Sequence, residues 1–194
     1  WHRSARADYR LYLANALLAP VLISPFLLSD GWVMNWIVRL SGDEATLQVP
    51  GALGEGVSWW MIRILFTVVF FVAYDFGRFV AHSLLHDVPA LWEFHKVHHS
   101  AEVLTLMTAF RVHPLELLIM VWVPTLMTGL VIALFNLAGA GVSLITFLGL
   151  HVFLWVFSLI DNLRHSPVWI SYGPRWGRWL ISPAHHQLHH SIEA

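Results

Sequence analysis

The chain has 194 residues, of which 57% are hydrophobic and only 12% charged, a balance that excludes an ordinary soluble domain. The net charge is −1 with no basic tract, so nucleic acid is not an expected partner. Cysteine is absent, which excludes disulfides, thiolate-bound zinc and iron–sulfur clusters in this stretch.

Four segments are apolar and long enough to cross a bilayer, whose hydrocarbon core is roughly 30 Å thick and needs about 20 helical residues. The first is Leu11 to Leu28, short and carrying Pro20 and Pro25. Trp32 to Leu40 then reads as a short interfacial helix, and Ser41 to Gly56 as a polar, glycine-containing connection. The second span runs from Trp59 to Val80 and the third from Leu115 to Leu137. Pro114 suits the first turn of the third, and Pro124 is a kink that neighbouring helices tolerate. The fourth runs from Gly141 to Ile160. The start at Trp1 and the stop four residues after His190 read as a piece of a longer protein, truncated at both ends. The expected fold is all-α. It is a polytopic membrane helical bundle of about four transmembrane helices with a cytoplasmic histidine-rich helical cap. One domain covers 1–194, with a histidine-box core over 75–191.

Three histidine clusters follow these spans. They are His82-Ser-Leu-Leu-His86, His95-Lys-Val-His98-His99 and His186-Gln-Leu-His189-His190. Residues three and four apart share a helix face, so each cluster can aim its imidazoles at one point. Imidazole is the commonest metal-ligand side chain and suits iron, zinc and copper. Eight such rings exceed what one metal needs, which points to two. The HxxxH pair alone could equally be two interfacial histidines touching headgroups. HxxHH twice, with HxxxH, is far more demanding. His185 precedes the last pattern and reads as a non-ligand.

Further polar residues surround the clusters. Positions 151, 155, 158, 162 and 165 trace one helical face and read His, Trp, Ser, Asn, His. His165 is a ninth ligand candidate, against a helix-packing hydrogen bond as the plainer alternative. His151 and Asn162 are supporting or tunnel-lining groups. Asp75 lies seven residues before His82 and could hold a histidine N–H. His113, in Arg111-Val-His113-Pro114, stays open between ligand, supporting and interfacial roles. His2 is set aside.

Counting spans puts all eight clustered histidines on one membrane side. That side also collects Arg3, Arg6, Arg10, Arg78, Lys96, Arg111, Arg164, Arg175 and Arg178, leaving Arg39 and Arg63 opposite. The positive-inside rule makes the histidine side cytoplasmic.

The order HxxxH, HxxHH, HxxHH resembles the fatty acid hydroxylase and sterol desaturase superfamily of membrane di-iron enzymes. The stretch His82 to Ser100 is similar to that family's core, Arg111-Val-His113-Pro114 to its Arg-x-His-Pro segment, and Ile181 to Ser191 to its last box. The family's following Asp-x-Asn-aromatic-Gly segment is not reached. The resemblance implies a cytoplasmic centre of two non-haem iron ions, with zinc as a possible substitute. Its ligands would be His82, His86, His95, His98, His99, His165, His186, His189 and His190. It implies O₂ as co-substrate and a lipid C–H bond (sterol, fatty acyl or related) as target, for hydroxylation or desaturation. Electrons would come from a separate donor, a cytochrome, ferredoxin or reductase, and a homo-oligomer or larger membrane complex is compatible. A non-catalytic metal-binding structural subunit is the alternative. A metal transporter would need polar residues along several spans, and a bis-histidine haem site would need paired histidines within facing spans.

Overall fold

The computed structural model describes residues 2–42, 58–140, 142, 157 and 161–191. Seven α-helices lie among them: α1 (Arg3–Leu22), α2 (Asp30–Leu40), α3 (Trp59–Asp87), α4 (Pro89–His99), α5 (Pro114–Leu137), α6 (Gly173–Trp176) and α7 (Pro183–His189). Short 3-10 turns fall at Ser24–Phe26, Leu106–Phe110 and Leu163–His165. No strand occurs among the described residues.

The expected span Leu11 to Leu28 is redrawn. Pro20 is carried inside α1, but the helix stops at Leu22 and a 3-10 turn holds Pro25. The chain restarts at Ser29, whose side chain accepts from the Trp32 N–H, with Asp30 in the first turn of α2. α1 with the stretch from Ser24 through α2 passes as a membrane span only when counted as one broken span. α3 and α5 each pass alone. The described residues therefore hold two candidate spans, or three with the broken pair. The expected fourth, Gly141 to Ile160, lies outside them apart from Val142 and Phe157.

α3 has 29 residues. At 1.5 Å per residue that is about 43 Å, against a hydrocarbon core of roughly 30 Å. One helix can thus cross a bilayer and still carry a histidine pair on its last turns.

The chain forms two compact units, residues 26–84 with 118–154, and residues 1–25 with 85–117 and 155–194. In the former, Ile62, Phe66 and Phe70 repeat every four residues along α3 and bury one apolar stripe with Ile132 and Val142. The Phe66 and Phe135 rings meet edge to face at 5.3 Å. Small residues let the helices close up, as membrane helix pairs require. A Cβ on Gly77 would stand 2.7 Å from Pro124 Cα, and one on Gly129 would stand 2.6 Å from Val33 Cβ.

The other unit is organised by a buried ion pair. Arg111 Nη1 donates to Asp8 Oδ1 at 3.0 Å, and Asp8 is 0% exposed. The other Asp8 oxygen accepts from Thr105 Oγ1 at 3.1 Å and Thr108 Oγ1 at 2.9 Å. Arg111 also donates to the Val97 carbonyl (3.1 Å), the Ser100 carbonyl (3.1 Å) and Ser100 Oγ (2.8 Å). A helix leaves its last carbonyls without intrahelical donors. One guanidinium thus satisfies the end of α4, immediately behind His98 and His99.

Candidate metal centre

α3 contributes His82 and His86 from successive turns. The boundary between the compact units falls between them, inside one unbroken helix. α4 is started by Pro89 at its first turn and brings His95, His98 and His99. α7 is started by Pro183, with Ser182 accepting from the His185 N–H, and brings His186 and His189, with His190 as its C-terminal cap. His165 closes the 3-10 turn after Asn162.

These rings form two sets. One ligand nitrogen from each of His82, His86, His95 and His189 lies within 4.8 Å of the other three. The same holds for His98, His165, His186 and His190. The expectation that each cluster aims at one point is corrected. On a helix, positions i and i+3 diverge by about 60° around the axis, so His95 and His98 serve different sets, and so do His186 and His189. Only the i, i+4 pairs, His82 with His86 and His186 with His190, stay together.

His99 belongs to neither set. Its ring stacks on His190 at 4.3 Å and lies 4.8 Å from His86, His95 and His189. Its Nε2 is buried and has no hydrogen-bond partner among the described residues. A nitrogen aimed into the cluster without a partner suits a metal ligand better than a packing group.

The spacing of the nitrogens tests the fit further. His86 and His95 Nε2 are 3.1 Å apart, His98 and His165 Nε2 3.2 Å, His165 and His186 Nε2 2.9 Å, and His186 and His190 Nε2 3.2 Å. Ligands about 2.0–2.1 Å from one ion lie about 2.8–3.4 Å from each other, from octahedral to tetrahedral arrangements. The all-nitrogen donor set fits iron, zinc or copper.

One carboxylate holds the arrangement. His95 is 2% exposed, and its Nδ1 donates to Glu116 Oε1 at 2.8 Å. That contact fixes the tautomer and turns Nε2 toward His86. Glu116 Oε2 also accepts from the His113 N–H at 3.4 Å, while His113 Nδ1 accepts from the Leu115 N–H at 3.2 Å. His113 is therefore the cap of α5 and is outside both sets. The carboxylate expected at Asp75 is not there, since Asp75 is exposed on α3. Glu116 was missed, although an acidic residue in the first turn of the most apolar span was a readable signal. Asn162 is half-buried and caps the 3-10 turn without a side-chain cap bond. His151 lies outside the described residues. His185 is exposed and His2 caps α1, and neither joins a set.

Burial favours the neutral form of His98, His99, His186, His189 and His190. His98 is held well below the ordinary histidine value, first by burial and then by His165 and His190. His186 and His189 are lowered for the same leading reason. His99 is pushed down to about 2 and His190 to about 4, by burial and then by neighbouring rings. A neutral imidazole offers the lone pair that a metal takes. Between 6.5 and about 4 the unfolded chain binds a proton on His190 and the folded chain does not. Stability of metal-stripped protein should thus be full above 6.5 and fall as pH drops toward about 4, through the window of His190. Thermal unfolding across that range checks this, and a flat profile would contradict the burial of the cluster.

A family model described as fatty acid hydroxylase matches residues 67–194. A curated relative, fatty acid hydroxylase vlmA of Lecanicillium sp, is 30% identical over 81 residues, 37% of this chain and 22% of that protein. The match thus spans less than a quarter of that relative's length. No solved structure matches. The family match covers well over half of the sequence and contains every histidine of both sets, and the chain belongs to the fatty acid hydroxylase family.

Proposed function

We propose that this chain is the metal-bearing core of a membrane enzyme that hydroxylates or desaturates a lipid. The observation that carries the reading is the pair of interleaved four-histidine sets. His82, His86, His95 and His189 would hold one iron, and His98, His165, His186 and His190 the other, with His99 Nε2 available as a further ligand to one of them. Bound iron would supply the oxidising power for an unactivated C–H bond, with O₂ and two electrons from an external donor. The residues of the chain do the rest. Glu116 orients His95, and burial disfavours the protonated forms of His98, His186 and His190. α3 delivers its histidines past the hydrocarbon, where a lipid carbon can reach them. A cytoplasmic face for the site follows from the excess of arginine and lysine on that side.

Metal analysis of purified protein should give two ions per chain, and zinc acquired on overexpression would still count. A value near zero or one would defeat the two-metal assignment. Lipid analysis of cells with and without the gene should reveal a new hydroxyl or double bond. An unchanged lipid profile, with metal present, would favour the non-catalytic subunit instead.

A further inference from the structure

Between the turn ending at His165 and the start of α7, the chain is exposed almost throughout from Pro167 to Ile181. The exposed side chains include Trp169, Tyr172, Trp176 and Trp179, the last at 84%. Arg175 and Arg178 alternate with the two later tryptophans and are also exposed. No carboxylate occurs anywhere from Asn162 to Ser191. A large apolar surface left open in this way marks a docking site.

Its chemistry selects the occupant. Tryptophan and tyrosine concentrate at the headgroup level of a bilayer, where one end of the ring is apolar and the other wet. Arginine forks onto phosphate oxygens in that layer. A protein partner would be met by a polar rim around an apolar centre. Here the basic residues are threaded between the rings instead, and no acidic residue faces a phosphate-rich surface.

The segment is also clipped to the metal centre. The Ala184 N–H donates to the Ile170 carbonyl at 3.0 Å. Gln187 Nε2 donates to the Ser166 and Val168 carbonyls at 3.0 and 3.1 Å. At the far end Gly177 sits under His185, and a Cβ there would stand 2.5 Å from the His185 ring. The start of the segment is thus hydrogen-bonded to α7, the helix that carries the last histidine cluster, and Gly177 packs closely against it.

We infer that Pro167–Ile181 is an interfacial anchor for an anionic lipid surface, with its tryptophans among the headgroups and Arg175 and Arg178 on lipid phosphates, so that α7 is seated at the membrane face. This rests on the chain being a membrane protein and deepens the lipid reading of the site. It is independent of whether the site holds metal or oxidises anything.

The absence of cysteine makes the test clean. Leu180→Cys leaves every tryptophan and arginine in place and takes an environment-sensitive fluorophore. Glu102→Cys, an exposed polar position in the same compact unit, is the control. The protein is reconstituted in phosphatidylcholine vesicles with or without phosphatidylglycerol. At position 180, emission should shift to the blue. Quenching there by lipid bearing a nitroxide near the headgroup should exceed that at 102 severalfold, with the order reversed for aqueous iodide. Arg175→Gln with Arg178→Gln should abolish the gain from phosphatidylglycerol. Equal iodide quenching at both positions overturns the proposal. So does shielding of 180 from both quenchers, because a second copy or another protein surface would then cover the segment. An unchanged phosphatidylglycerol response in the double variant overturns the role of the arginines. None of these readouts measures lipid oxidation, so their failure leaves the proposed function standing.

Discussion

His98→Ala should lose lipid oxidation and retain no more than one metal ion per chain, while His185→Ala should keep both. His98 is buried, its Nε2 faces His165 at 3.2 Å, and its ring lies 4.6 Å from His190. Removing it opens the second set at its centre. The loss should exceed the 10–100-fold typical of an outer partner of a ligand. Glu116→Gln provides that smaller comparison, because the amide keeps the shape but weakens the hold on His95 Nδ1. His185 is exposed and belongs to neither set. Metal content and product yield at matched protein level are the two readouts. Full activity and two metals in His98→Ala would falsify the assignment. Complete loss in His185→Ala would show that the wrong residue of the last cluster was chosen.

Arg111→Met should destabilise the protein by about 3–5 kcal/mol, the usual consequence of leaving one partner of a buried ion pair uncompensated. The methionine fills much of the space but strands the Asp8 carboxylate, and it frees the carbonyls of Val97 and Ser100 at the end of α4. Asp8→Leu alone should be comparably damaging, since it strands the guanidinium. The double variant should be closer to the parent than the two single effects summed, because the stranded charge is gone in both directions. Denaturant unfolding in detergent measures all three. Additive losses would mean that the ion pair is not the unit that matters.

The sequence revealed the histidines but not their division. Spacing along a helix reports which residues share a face, and it identified every ring that the structure gathers into the two sets. The divergence of i and i+3 around a helix permits the division, but which partner set each ring joins depends on where neighbouring helices place their own rings. His165 was legible from a polar stripe, and the start of α5 from Pro114. Asp8 and Ser4 lie outside every motif read from the sequence, yet they hold Arg111 across more than one hundred positions. No local pattern announces such a pairing. Asp75 draws the eye because it lies on the same helix as a histidine cluster, seven residues before His82. The carboxylate that meets a ring instead comes from another helix, across 21 residues of sequence.

The interleaving of the sets has a consequence for assembly. α4 supplies His95 to one set and His98 to the other, and α7 supplies His189 to one and His186 with His190 to the other. Neither helix can be ordered around one set and stay loose around its neighbour. The conformational entropy of fixing α4 and α7 is therefore spent once and shared between both positions. On the proposed two-ion reading, the first ion to arrive would meet the full ordering penalty and the second a site already built. If two ions bind as proposed, loading should be concerted, half-filled protein should be a minor species, and damage to any one cluster should be felt at both positions.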